Sequence, residues 1–367
     1  MGKITSILLM GICIFINVPY SYSQDNKLQS FTPKELWADN NGVHINAHGG
    51  GVLFDNGKYY WFGEHKIAGP KGNRAHVGVH CYSSTDLYNW KDEGIALSVA
   101  PEGSGSDIEK GCILERPKVV YNEKTNKYVM WFHLELKGQG YKAARSGVAV
   151  SDNVIGPYTF IRSGRPNPGI WPMNVTEEEK KSIDMSDKKA PLRVLNKYIE
   201  TGQMARDMTI FVDDDQKAYH IYASEENGTT QIAELTDDYL SHTGKYVRVF
   251  PKRYMEAAAV FKRNGKYYFI GSDCTGWKPN AARSAVASSI WGPWEELGNP
   301  CRGKDSNITF EGQSTYVLKV QHGRPDSYIF MADVWRPDNA IDGRYIWLPI
   351  TFKNDKPIIQ WKKEWNF

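Results

Sequence analysis

The chain has 367 residues, 41% apolar and 24% charged, which excludes a disordered polymer and leaves room for one large domain or two small ones. Its 45 Lys and Arg against 42 Asp and Glu give a net charge of +3, which excludes the basic stripe a nucleic-acid partner needs. The 21 Tyr, 14 Phe and 12 Trp, spread among 33 Gly and 18 Pro, point to β-structure with many turns and a carbohydrate-type surface.

Residues 1–23 read as an export signal. Lys3 supplies the positive region, an apolar stretch follows to Val18, and Ser21-Tyr22-Ser23 precedes Gln24 as a cleavage site. The stretch is too short and too poorly flanked to span a membrane. Cys13 lacks the small residue before it and the polar residues after it that lipid attachment requires. The mature chain, 24–367, is therefore expected to be exported, periplasmic or extracellular, without membrane insertion and monomeric. Cys81, Cys112, Cys274 and Cys301 remain, either paired in one of three ways or as buried free thiols. Their spacing fits no zinc pattern, and neither metal nor cofactor is expected.

Five times, an apolar strand leads through a turn to an aromatic strand, at residues 51–62, 118–131, 208–222, 260–269 and 315–330. Asn56-Gly57, Asn264-Gly265 and Asp213-Asp214-Asp215 are hairpin signals. A third strand follows each hairpin, near residues 79–90, 147–158, 232–240, 284–294 and 346–352. Five such units predict an all-β, five-bladed β-propeller rather than a sandwich of unrelated hairpins. Residues 164–203, polar and charged, interrupt the rhythm between units two and three and read as a solvated, lid-like insertion with a helical turn or two. The C-terminal residues 361–367 finish the last blade, with residues 28–40 beside them.

The innermost strands of a propeller all run the same way, so their starts gather at one end of the channel. Here those starts read Ala47-His48-Gly49-Gly50, Glu115-Arg116-Pro117, Arg206-Asp207-Met208, Glu256-Ala257-Ala258 and Gln313-Ser314-Thr315. In register, they bring one His, three carboxylic acids and one amide to a single point. Carboxylates held together raise one another's pKa, so one stays protonated near neutral pH. Two carboxyl groups across a sugar bond are the equipment of glycoside hydrolysis.

Taken with Ile45-Asn46-Ala47-His48-Gly49-Gly50-Gly51, Tyr60-Trp61-Phe62-Gly63-Glu64-His65 and Gly271-Ser272-Asp273-Cys274-Thr275-Gly276-Trp277, these segments resemble glycoside hydrolase family 43, most closely its exo-β-1,3-galactanase branch. The resemblance runs from about residue 40 to the C-terminus. It implies a general acid at Glu256 and a pKa-tuning, sugar-touching acid at Asp207. The Asp base that most of the family carries in an Ala-Asp-Pro setting is replaced here by Ala47-His48-Gly49, a loss the galactanase branch shares. That branch implies Gln313 as base, through an imidic acid form and assisted by Glu115. Chemistry alone nominates Glu115, whose carboxylate can take a proton from water. Glu64, Tyr141, Thr275, Trp277 and Trp335 are candidate sugar-binding residues, and His48 supports the site from below or holds a channel water.

The leading expectation is an inverting, exo-acting hydrolase of β-1,3-linked galactan, the backbone of arabinogalactan. The alternatives are an arabinofuranosidase or galactofuranosidase of the same family, decided by the 164–203 insertion, and a non-catalytic glycan-binding propeller.

Overall fold

The computed structural model describes residue 2, residues 27–321 and residues 326–367. Apart from residue 2, the expected export signal, with Cys13, lies outside the described residues. Five sheets, antiparallel but for one outer strand pair, stand around a central channel. The inner strands are His48–Asp55, Ile113–Asn122, Met208–Val212, Glu256–Arg263 and Gln313–Lys319. Each packs against the next, and the last packs back on the first, closing a five-bladed β-propeller.

The hairpin signals fold as their chemistry requires. Asn56 and Gly57 both have positive φ (47° and 82°), as do Asn264 and Gly265 (50° and 73°), and this is the paired left-handed geometry that matches strand twist. The three-strand reading of each unit was incomplete. Blades one to four each add an outer strand, Lys91–Ser98, Thr159–Gly164, His242–Val249 and Glu295–Gly298. Blade five has five strands, its outer pair being Lys356–Gln360 and, parallel to it, Cys301–Arg302. Outer strands are half in solvent and carry charge, so the apolar signal is weak there.

The ring closes where the chain ends meet. Phe31 bridges to Trp365 and stacks on it at 4.5 Å, as expected for residues 28–40. Trp61, Trp90 and Trp347 are almost wholly buried in the same cluster, with Trp37 packed against them. The aromatic richness is therefore mostly core. Only Trp277 and Trp335, of the 12 Trp, line the pocket described below.

The 164–203 segment differs from the solvated lid expected of it. Helices Glu177–Lys181 and Arg193–Lys197 flank a small core of Val175, Leu192, Leu195 and Ile199. The segment docks on the outer strand of blade three, where the Met173 N–H donates to the Tyr246 carbonyl and the Arg248 N–H to Asn174. None of its residues lines the pocket described below, so the expected influence of this segment on that pocket has no lining residue to act through. Arg248 anchors it: Nε and Nη2 donate to the buried Glu225 at 2.6 and 2.7 Å, and Nη2 also reaches the Pro191 carbonyl. Arg248→Ala strands the Glu225 carboxylate, and thermal or urea unfolding should report a loss of about 3 kcal/mol.

Cys81, Cys112 and Cys301 are buried free thiols and Cys274 is a half-buried one, so no disulfide forms among the described residues. No described helix is long and apolar enough to cross a membrane.

Candidate active site

Four of the five inner strands carry a register shift near their starts, between His48 and Gly51, Glu115 and Lys118, Glu256 and Ala259, and Ser314 and Tyr316. Such bulges re-aim side chains at the rim of a barrel or propeller. The result is a pocket of about 180 Å³ lined by Glu64, Asn73, Glu115, Arg116, Tyr141, Asp207, Glu256, Gly276, Trp277, Gln313 and Trp335. A second hollow of about 330 Å³ shares the Trp277, Gln313 and Trp335 wall. A further hollow, about 670 Å³, lies at the other mouth of the channel among the hairpin turns and contains none of the polar strand starts.

Glu256 accepts a 2.7 Å hydrogen bond from Asn227 Nδ2. Burial, then the negative charge of Asp207, pushes its pKa up to about 7, partly opposed by the Cys274 thiol and by Arg116 and Arg206. A carboxyl group in that range is protonated often enough to act as an acid near neutral pH. Asp207 Oδ2 accepts from Arg116 Nη2 at 2.8 Å and from the Ala257 N–H at 3.1 Å, which ties blades two, three and four together.

Glu115 is the opposite case. Burial alone would raise its pKa. His133, whose Nδ1 donates at 3.0 Å, then the Lys66 charge and the Tyr141 hydroxyl at 2.6 Å win and hold it well below the usual carboxylate range, and Asn73 Nδ2 also donates to it at 3.1 Å. His133 sits between Glu115 and Glu135; despite burial, hydrogen bonds to both raise its pKa to about 9, so it is a cation at neutral pH. Burial and the Glu115 charge push the Tyr141 hydroxyl far up, keeping it a donor.

Glu64 accepts from the Arg116 N–H at 2.9 Å and is ion-paired with Lys66. Burial raises its pKa against the Lys66 charge. Its carboxylate lies over Gly49, where a Cβ would come within 2.2 Å of Oε1 and where φ is +62°. Gly49 is needed on both counts.

Two of the expected residues stand outside the lining. His48 does not join the other strand starts. Its ring is fully buried, 5.3 Å from the Tyr345 ring and 3.9 Å from Asp333 Oδ2. Burial first, then the nearby Lys66 charge, lowers its pKa well below the usual value, so it is neutral. Blade one is represented in the lining by Glu64, the strand partner of His48. Thr275 also stays out of the lining. Its hydroxyl donates to the Lys278 carbonyl at 2.6 Å and accepts from Asn280 at 2.7 Å, within its own loop. Tyr141, Trp277 and Trp335 do line it, the two indoles edge to face at 6.0 Å.

Sequence reasoning missed Asn73, Asn227 and above all Arg116. An Arg flanked by Glu and Pro at an inner-strand start was the available signal for the last. Ligand atoms of Glu115, His133 and Asp207 lie within 4.8 Å of one another, spacing that suits a metal ion. Each is already engaged, however: both His133 nitrogens by glutamates and Asp207 by Arg116.

A propeller with an acid of raised pKa facing other carboxylates and two indoles in a small pocket is the arrangement of a glycoside hydrolase. Residues 185–355 match the model for Glycosyl hydrolases family 43. A family 43 β-1,3-galactosidase, solved with galactodeoxynojirimycin, is 55% identical; the alignment covers 92% of this chain and 100% of that one, with a TM-score of 0.88. An exo-β-1,3-galactanase from Phanerochaete chrysosporium, solved with β-1,3-galactotriose, is 31% identical over 93% of this chain and 68% of that one, TM-score 0.76. One from Clostridium thermocellum is 33% identical over 91% and 66%, TM-score 0.76. A β-D-galactofuranosidase of Aspergillus niger is 30% identical over 129 residues, 32% of this chain and only 37% of that protein's length. The chain belongs to glycoside hydrolase family 43.

Proposed function

We propose that this enzyme removes single galactose residues from the non-reducing end of β-1,3-linked galactan, with inversion at the anomeric carbon. The observation that carries the proposal is the small pocket in which Glu256, its pKa raised to about 7, stands among Asp207, Glu115 and Gln313. About 180 Å³ suits one pyranose rather than a length of chain, which favours exo action. The substrates in the names of the β-1,3-galactosidase and exo-β-1,3-galactanase relatives support the choice of sugar and linkage.

In this reading Glu256 donates its proton to the glycosidic oxygen as that bond breaks. Asp207 keeps the Glu256 pKa high and accepts a sugar hydroxyl. Trp277 and Trp335 cover the apolar face of the ring, and Glu64 and Tyr141 hold its hydroxyls. Water attacks from the opposite face, its proton taken on the side of Glu115 and Gln313. An exported enzyme acting on polysaccharide outside the cytoplasm accords with the signal read over residues 1–23.

The test is the product released from β-1,3-galacto-oligosaccharides, debranched arabinogalactan, and arabino- and galactofuranosides. Galactose from the first two supports the proposal. Turnover of furanosides alone overturns it in favour of the activity that names the A. niger relative.

A further inference from the structure

Asn227 holds the carboxyl group of Glu256 through Nδ2, which donates to Oε1 at 2.7 Å. Asn227 lies outside the pocket lining, so its reach to the reaction runs through that carboxyl group. Its amide has one orientation. Arg206 Nη1 donates to Oδ1 at 3.2 Å, and a guanidinium cannot accept, so the carbonyl oxygen faces Arg206 and the nitrogen faces Glu256. The second Nδ2 hydrogen goes to Cys274 Sγ at 3.6 Å. Arg206 is itself tied down, its Nη2 donating to the Tyr141 carbonyl at 2.7 Å. A neutral carboxyl group accepts best through its carbonyl oxygen. With Oε1 taken by Asn227, the acid hydrogen stays on Oε2.

The turn that presents Asn227 is built against the backbone's preference. Glu225, Glu226 and Asn227 have φ of +51°, +58° and +67°, three residues with side chains in succession in the left-handed region. Each such residue costs free energy and persists only where its surroundings hold it. The Glu225 carboxylate, 4% exposed, accepts from both Arg248 donors, from Thr229 Oγ1 at 3.2 Å and from Gln231 Nε2 at 3.3 Å. Arg248 Nη2 and Gln231 Nε2 also reach the Pro191 carbonyl and Gln203 Oε1, at 3.3 and 3.4 Å. Lys197 Nζ and the Tyr198 hydroxyl donate to Glu226 at 3.1 and 3.2 Å. Pro191, Lys197, Tyr198 and Gln203 all belong to the 164–203 segment, which thus grips the turn and its anchors from outside the pocket.

We propose that Asn227 is a positioning residue that keeps the acid proton of Glu256 on Oε2, and that the 164–203 segment serves catalysis by clamping the left-handed turn that carries it. The Oε2 hydrogen passes to the glycosidic oxygen as the bond from that oxygen to the anomeric carbon breaks. The water oxygen bonds to that carbon, its proton is taken on the side of Glu115 and Gln313, and Glu256 is left as a carboxylate. This inference rests on the reading of Glu256 as the acid.

The test compares two leaving groups. The sugar leaving β-1,3-galactobiose needs a proton, whereas fluoride leaves β-D-galactosyl fluoride as an anion. In Asn227→Ala, kcat on galactobiose should fall about 30-fold, a share of what general acid catalysis supplies, with KM and turnover of the fluoride little changed. Equal losses on both substrates, or no loss on either, would overturn the proposal. Asn227→Asp keeps the shape and the bond from Arg206 but has no hydrogen to give, so it should lose as much on galactobiose as Asn227→Ala. The groups facing Glu256 are Asp207, the Cys274 thiol, Arg116 and Arg206. A carboxylate at 227 adds a second anion to Asp207, which raises the Glu256 pKa, so the basic limb of kcat/KM should move to higher pH. A merely structural asparagine would tolerate this isosteric change with rate and limb unaltered. Glu225→Gln loosens the clamp and should show the same selective loss, smaller in size. Lys197→Ala with Tyr198→Phe removes both donors to Glu226 without touching a buried group, and should show it at a few-fold. Wild-type kcat on galactobiose in every clamp variant that melts as a folded protein contradicts the role given to the segment. Failure of the substrate reading looks different: the wild type itself would leave both galactosides intact.

Discussion

Glu256→Gln is expected to lower kcat on β-1,3-galactobiose by roughly 1,000-fold while leaving its Kd within a few-fold of wild type. The amide keeps the size of the carboxyl and can still accept from Asn227, so pocket and fold are preserved. What disappears is the only proton the account gives to the leaving oxygen. An alkoxide of a sugar is a poor leaving group, so the cost falls on the chemical step and not on affinity. Galactose release gives kcat, and calorimetric titration gives Kd. A loss under tenfold would remove Glu256 from the acid's role. Equal behaviour of the two proteins in both assays would return the chain to the glycan-binding alternative.

Asp207→Asn should change the pH dependence as well as the rate. The acid must be protonated to work, and the Glu256 pKa of about 7 places the basic limb of the wild-type profile near neutrality, with activity falling as pH rises through it. After burial, the charge of Asp207 is the next cause of that height. Neutralising it lowers the Glu256 pKa. Arg116 then loses an anion it pairs with, and its unbalanced charge lowers the pKa further. The limb in kcat/KM should move to lower pH by about one unit or more, so the variant suffers far more at pH 8 than at pH 5. A limb that stays near pH 7 would mean that Asp207 does not tune Glu256.

The inner hairpins were legible in the sequence because two strong local signals coincide there, apolar strand runs and turn residues that tolerate positive φ. The outer strands were not. Glu295–Gly298 is four residues long and largely exposed, with no apolar face for alternation to reveal. The segment 164–203 hid its small core because Val175, Leu192, Leu195 and Ile199 stand far apart among charges.

At the site, position along the inner strand located Glu115, Asp207, Glu256 and Gln313. The same rule failed for His48, whose ring is fully buried beside Tyr345 and Asp333 while its strand partner Glu64 takes the place in the lining, an exchange between neighbouring strands that no local pattern encodes. Arg116 escaped for a related reason. Its importance lies in contacts with residues 52, 91 and 197 positions away, which no local pattern encodes.

The most direct test of the central claim is proton NMR of the first minutes of β-1,3-galactotriose hydrolysis by the wild-type enzyme. The account predicts galactose and β-1,3-galactobiose as the first products, with the new galactose appearing as the α-anomer and equilibrating to β only later. Galactose appearing first as β would contradict inversion. Intact galactotriose, with furanosides cleaved in parallel, would contradict the substrate.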